Sequence, residues 1–184
     1  MNEIIKYDDY AEMIIYDKQG NEKCRTLIDL DDIEKVKDYR WSFKGYVGKG
    51  YVKNEKNKLF LHKFIMNAPK GVVVDHINHN KLDNRKCNLR ICTHSQNNMN
   101  RVKQSNNTSG CTGVYWSKER SKWCAKIECN KKRIHLGYFN DLEEAIRVRK
   151  QAEIKYFGEY RNNKWYYNVD FHSCLCYNYI KKEW

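Results

Sequence analysis

The chain has 184 residues, with 35 Lys and Arg against 23 Asp and Glu, for a formal charge of +12. That length admits one ordinary domain or two small ones, and the excess of positive charge makes a polyanion the first partner to consider, with fourteen Tyr and five Trp adding flat faces that can stack. No run approaches the roughly 20 apolar residues of a membrane span, and the opening Met1-Asn2-Glu3-Ile4-Ile5-Lys6 lacks the long apolar segment of a secretion signal, so a soluble, cytoplasmic, non-secreted protein is expected.

The first sixty residues read as short strands and turns. Ala11 to Tyr16 and Lys23 to Ile28 are strand-like runs joined by Asp17-Lys18-Gln19-Gly20-Asn21, a connection that suits a hairpin. A short helix is expected over Asp29 to Asp38. Trp41 to Val52, with three glycines among aromatics, predicts a second hairpin leading into Leu59 to Met66, and together these form a scaffold with a half-buried sheet. A turn holding the single proline, Pro69, precedes the apolar run Val72-Val73-Val74, which reads as a buried strand. The eight cysteines include no Cys-x-x-Cys pair, against a structural zinc site and in favour of reduced thiols.

The segment from Val74 to Asn98 carries the residue types that metal-assisted phosphodiester cleavage needs. A carboxylate is a hard ligand for Mg²⁺, an amide oxygen is a neutral second ligand, and an imidazole takes a proton from water near neutral pH. Asp75, Asn97 and His76 can fill those three roles. A strand ends at Asp75-His76, a polar turn runs from Asn78 to Asn84, Leu89-Arg90-Ile91 returns as a strand, and a helix begins after Thr93. Thr93 with Gln96 makes a capping box, which puts Asn97 in the first turns of that helix. Adjacent strand residues point to opposite faces, so Asp75 and His76 share a site only if the strand bends or ends there. His62 reads as a packed histidine. Asn84-Arg85 reads either as a loop brace or, through Arg85, as a phosphate contact.

Val-Asp-His-Ile-Asn-His-Asn-x-Leu-Asp-Asn-Arg-x-x-Asn-Leu-Arg-x-Cys-Thr-x-x-x-Asn resembles the HNH endonucleases of the phage and mobile-element homing type over about residues 61–100. The resemblance implies a ββα-metal (His-Me finger) fold in which His76 is the general base, Asp75 and Asn97 hold the divalent metal, and Asn88 braces the loop. The third motif position is Asn97 rather than histidine, and an amide ligand favours Mg²⁺ or Mn²⁺ over zinc. It also implies double-stranded DNA as partner, met as a monomer or dimer. The compartment would be the host cytoplasm if the gene is phage-borne.

Residues from Asn100 to Cys111 are polar and poor in large hydrophobes, as a linker is, and place a boundary near Ser105. Three strand-like runs follow, Gly113 to Ser117, Lys122 to Cys129 and Lys132 to Phe139. A helix is then expected from Asp141 to about Phe157, capped by Asn140 or Asp141 and stopped by Gly158. Alternation sends Trp123, Ala125 and Ile127 to the helix side, leaving Lys126, Arg133 and His135 on a polar outer face that can meet DNA as a β-ribbon does. Tyr115, Lys118 and Arg120, from the first strand and its turn, join that expected DNA-binding set together with Arg85.

Ser109-Gly-Cys-Thr-Gly-Val-Tyr-Trp, Lys122-Trp-Cys-Ala-Lys-Ile, Arg133-Ile-His-Leu-Gly-Tyr-Phe and Glu143-Glu-Ala-Ile together resemble the AP-two/ethylene-response-factor (ERF) DNA-binding domain over about residues 107–160. Tyr115, Lys126, Glu128 and His135 depart from the residues that read bases in the plant proteins, so their sequence preference does not carry over. The fold class expected is thus α+β. Residues 1–104 form a β-rich scaffold and nuclease domain, and residues 105–163 form a three-stranded antiparallel sheet with one helix. The tail, residues 164–184, has no assigned role. The competing reading is a non-catalytic DNA-binding regulator that keeps a relic nuclease fold.

Overall fold

The computed structural model describes residues 1–46 and 48–162, which form two compact units, residues 1–92 and residues 93–162. The expected tail, residues 164–184, lies outside the described residues. Small antiparallel sheets and short helices alternate through both units, giving a mixed α and β architecture.

In the first unit, β1 (Ile4–Lys6), β2 (Ala11–Tyr16) and β3 (Glu22–Ile28) form a meander in the order β1-β2-β3. Asp17 anchors the β2–β3 turn by accepting the backbone N–H groups of Gln19 and Asn21, the local bonding that makes Asp a turn former. A 3-10 turn at Leu30–Asp32 runs into α1 (Ile33–Val36). A second sheet follows, β4 (Trp41–Lys44), β5 (Tyr51–Asn54) and β6 (Leu59–Phe60), in that order.

The run from Leu59 to Met66 departs from the expected sheet. Only its first two residues are strand, and the chain turns into α2 (Leu61–Ile65). Leu61 and Ile65, four residues apart, are both buried, so the helical period rather than the strand period matches the core there. Trp41, with its indole N–H donated to Val36 O at 3.0 Å, sits at the centre of a core with Met13, Ile15, Ile28, Val52, Leu61, Val74 and Leu89. That core ties both sheets to the hairpin described next.

The hairpin is β7 (Val73–His76) paired antiparallel with β8 (Leu89–Cys92), in the register Asp75 with Arg90 and His76 with Leu89. The edge of β3 docks on the loop between these strands: Leu27 N–H donates to Leu82 O (2.8 Å), and Asn84 N–H donates to Leu27 O (2.9 Å). Among the described cysteines, 24, 92, 111, 124 and 129 are free thiols.

The second unit opens with α3 (His94–Met99), whose capping box is formed in both directions between Thr93 and Gln96. Then come β9 (Val114–Ser117), β10 (Lys122–Cys129) and β11 (Lys132–Phe139), ordered β11-β10-β9, and α4 (Leu142–Phe157). Asp141 caps α4 by accepting Glu144 N–H, and Gly158, at φ +53°, ends it. Val114, Ala125 and Ile127 face α4 through Ala145, Ala152 and Phe157, and Met99 of α3 packs against the Ile127 end of this core. No helix among the described residues is long and apolar enough to cross a membrane.

Candidate functional site

The loop from Ile77 to Asn88 is held from within by its own amides. Asn88 accepts Asn78 N–H at Oδ1 (2.9 Å) and donates its side-chain amide to Asp83 O (2.8 Å), spanning the loop from both ends. Asn78 and Asn80 each accept a backbone N–H two residues on, the Asx turns that recur where a tight polar loop must satisfy its own backbone. Asp83 takes a fork from Arg85, Nε to Oδ1 at 2.8 Å and Nη2 to Oδ2 at 2.9 Å, with both side chains nearly fully buried. In this placement two of the guanidinium nitrogens that suit a phosphate are turned onto Asp83, the arrangement of a brace.

His76 ends β7, the condition set above for an adjacent Asp-His pair to share a site. Its Nε2 lies 3.2 Å from Asn84 Oδ1, and its ring stands edge-on to His62, with centroids 5.0 Å apart and Tyr51 beyond. Asp75 faces the other strand. Arg90, its partner in the ladder, reaches Asp75 Oδ2 with Nε at 3.1 Å and Nη2 at 2.8 Å. Both acidic and basic members of the pair are buried, Asp75 at 8% and His76 at 5% exposure. Arg90 escaped the sequence reading, although the antiparallel register that sets it opposite Asp75 follows once the loop length is known.

Burial governs the protonation of both histidines. It pushes the His62 imidazole down to about 3, helped by its neighbour His76. It also lowers His76 below the ordinary histidine value, while the Asn84 bond and the charge of Asp75 act in the opposite direction. Both rings are therefore neutral at pH 7, and a neutral ring can accept a proton. A group whose folded pKa is depressed stabilises the fold above its unfolded value and loses that stability as pH falls through the interval. For His62 the interval runs from roughly 6.5 to about 3. Urea unfolding across it is expected to show a loss of up to about 1.4 kcal/mol per pH unit from this ring, and His62→Gln should flatten that slope. An unchanged slope in the variant would refute the assignment.

A divalent ion would need hard oxygen donors here. Among the described residues no three His, Cys, Asp or Glu side chains gather to hold an ion; the expected donors are one carboxylate, Asp75, and one amide, Asn97, whose oxygens fit Mg²⁺ or Mn²⁺ in kind. Asn97 is half-buried in the capped first turns of α3, with its N–H donated to Thr93 O at 2.9 Å.

In the second unit the expected outer-face residues do gather. Lys126 Nζ lies 4.6 Å from the Tyr115 ring centre, and the His135 ring lies tilted at 53° against Tyr138 with centroids 4.6 Å apart. The Arg120 guanidinium lies 4.9 Å from the Tyr138 ring centre, and Arg133 pairs with Glu128 at 3.5 Å. Lys118 stands exposed in the turn after β9. Tyr138 was not expected on this face, because strict alternation from His135 points it inward. The ladder slips one residue between Ala125 and Lys126, beside Gly137 at φ +140°, and this bulge reverses the phase.

Residues 67–99 match the model of the family described as HNH endonuclease, a span that takes in β7, its loop, β8 and α3. The chain is 40% identical over 89 residues to an uncharacterized HNH endonuclease of Acanthamoeba polyphaga mimivirus, covering 44% of this chain and 46% of the relative. It is 37% identical over 78 residues to Protein 3.8 of Escherichia phage T7, covering 42% of this chain and 64% of that protein. The chain thus spans about half to two thirds of the length of these relatives, and no solved structure matches it. The buried hairpin that carries Asp75 and His76 is therefore part of an HNH endonuclease domain with viral and phage relatives.

Proposed function

We propose that this chain is a metal-dependent endonuclease of the HNH homing type that hydrolyses phosphodiester bonds in double-stranded DNA, and that its C-terminal module, of AP-two/ERF type, holds the target. The observation that carries the reading is that the family match falls on the hairpin whose first strand ends in a buried, neutral histidine with Nε2 against an amide oxygen. In this reading β7, β8 and α3 make a ββα-metal site, with the nuclease part running to about residue 104 and the DNA-binding module from 105 to 163.

Asp75 and Asn97 would hold Mg²⁺ or Mn²⁺, which would supply positive charge to offset the negative charge developing on the phosphate and the leaving oxygen. His76 takes the proton from the attacking water on its unprotonated ring nitrogen. Asn88 keeps the loop closed around it through the bonds to Asn78 and Asp83. Arg90 holds Asp75 Oδ2 from two guanidinium nitrogens, fixing the orientation of the carboxylate. Tyr115, Lys118, Arg120, Lys126, Arg133 and His135, joined by Tyr138, offer cations and stacking faces to duplex DNA, with phosphate contacts as the main source of affinity. Arg85 serves the loop rather than the DNA.

The test is incubation of supercoiled plasmid with purified protein and Mg²⁺. Cutting that stops in excess chelator is expected. Activity that survives chelation contradicts the metal-dependent mechanism, and DNA shifted on a gel but never cut identifies the non-catalytic regulator instead.

A further inference from the structure

We propose that Thr26, on the N-terminal sheet and outside the segment that matches the family, is a positioning residue that sets the tautomer of His76 through the side-chain amide of Asn84. The inference rests on His76 being the base of the proposed function, but its geometry stands by itself. All three side chains are buried, Thr26 completely and Asn84 nearly so.

The direction of each hydrogen bond follows from the one before. Thr26 Oγ1 lies 2.8 Å from Leu82 O, and a carbonyl only accepts, so the hydroxyl hydrogen points there. The hydroxyl then has lone pairs alone to offer Asn84, whose Nδ2 approaches to 2.7 Å. Lys81 O, 3.4 Å from the same nitrogen, is a second acceptor beside it. Rotating the amide by 180° would set Oδ1 against Lys81 O and break the bond from Nδ2 to Thr26. The nitrogen is thus held toward β3 and the oxygen toward His76.

Asn84 Oδ1 can only accept, so the His76 nitrogen 3.2 Å away, Nε2, carries the hydrogen. In the neutral ring Nδ1 then has the lone pair, and Nδ1 is the atom that takes the proton from water. Thr26 holds its place because the edge of β3 is bonded to the loop on both sides of Asp83. A hydroxyl 50 residues upstream of the histidine in sequence thereby decides which face of the imidazole is basic.

The experiment is ¹⁵N NMR of histidine-labelled full-length protein at a pH where His76 is neutral, with the His76 signals assigned by their absence in His76→Gln. Plasmid cleavage by Thr26→Val and Thr26→Ser is measured beside it. Wild type is expected to hold the Nε2–H tautomer. Thr26→Val, which keeps shape and removes the hydroxyl, should raise the share of the Nδ1–H form and lower kcat about 10- to 10²-fold, with KM nearly unchanged. Thr26→Ser should restore both. An Nδ1–H tautomer in wild type overturns the proposal, and so does a Thr26→Val protein that keeps the wild-type tautomer, whatever its activity. Should Thr26→Val fail to fold, Nε2–H in wild type and in Thr26→Ser with matching kcat sustains it. If the wild type does not cut DNA, the proposed function fails while the tautomer readout still judges the role of Thr26.

Discussion

Replacing His76 with alanine is expected to lower kcat for plasmid cleavage about 10²- to 10⁴-fold, the usual contribution of a general base, and to leave DNA affinity nearly unchanged. The affinity is spared because His76 is only 5% exposed and the cations proposed to meet phosphates lie elsewhere in the chain. In wild type, burial holds the imidazole below its ordinary pKa, so the basic form persists into mildly acidic solution. The acid limb of the cleavage profile should therefore lie below about pH 6.5, the value for an unperturbed histidine. The measurement is initial cleavage rate against pH for wild type and His76→Ala, with DNA binding followed by gel shift in chelator. A variant that cuts at the wild-type rate would remove His76 from the chemistry and with it the mechanism proposed.

Arg85→Ala should cost more stability than any surface substitution in this chain, about 3–5 kcal/mol, because it strands Asp83 as a buried charge without its partner. Asp83 is 2% exposed, receives both prongs of the guanidinium, and also accepts the Asn78 side-chain amide at 3.1 Å. The loss therefore spreads through the loop that positions Asn84 and Asn88. Replacing both members, Arg85→Met with Asp83→Leu, should recover much of the unfolding free energy without restoring the loop bonds. Urea unfolding of the two variants against wild type measures both effects. A cost under about 1 kcal/mol for Arg85→Ala, the range of a solvent-exposed pair, would mean that the guanidinium is not committed to Asp83 in solution and is available for phosphate after all.

The structure separates the features of this protein into those readable a few residues at a time and those that needed the folded chain. The capping box of Thr93 and Gln96, the Asp141 cap and Gly158 stop of α4, and the β7–β8 hairpin around a polar loop all depend on residues close in sequence. Their bonding partners are visible in a short window, and the same local chemistry stabilises them in any fold. The chemical types at Asp75, His76 and Asn97 were legible for the same reason, as was the apolar side of β10. The choice between strand and helix at Leu61–Ile65 was not, since a short apolar run fits both periods until the core selects one. Nor was the outward turn of Tyr138, which a single bulge reverses.

The partners of the charged and amide side chains were decided by tertiary structure alone. Arg85 is a fork that fits a carboxylate or a phosphate equally well, and only its burial beside Asp83 commits it. Asn84 reads as a loop residue until Thr26, 58 positions away, arrives against its amide. The sequence by itself determined which residues could do chemistry, because that is a property of side-chain type and local spacing. Which atom of His76 faces an acceptor, and which charges are neutralised before any ligand binds, depended on long-range packing, because hydrogen-bond direction and desolvation exist only once distant strands have met.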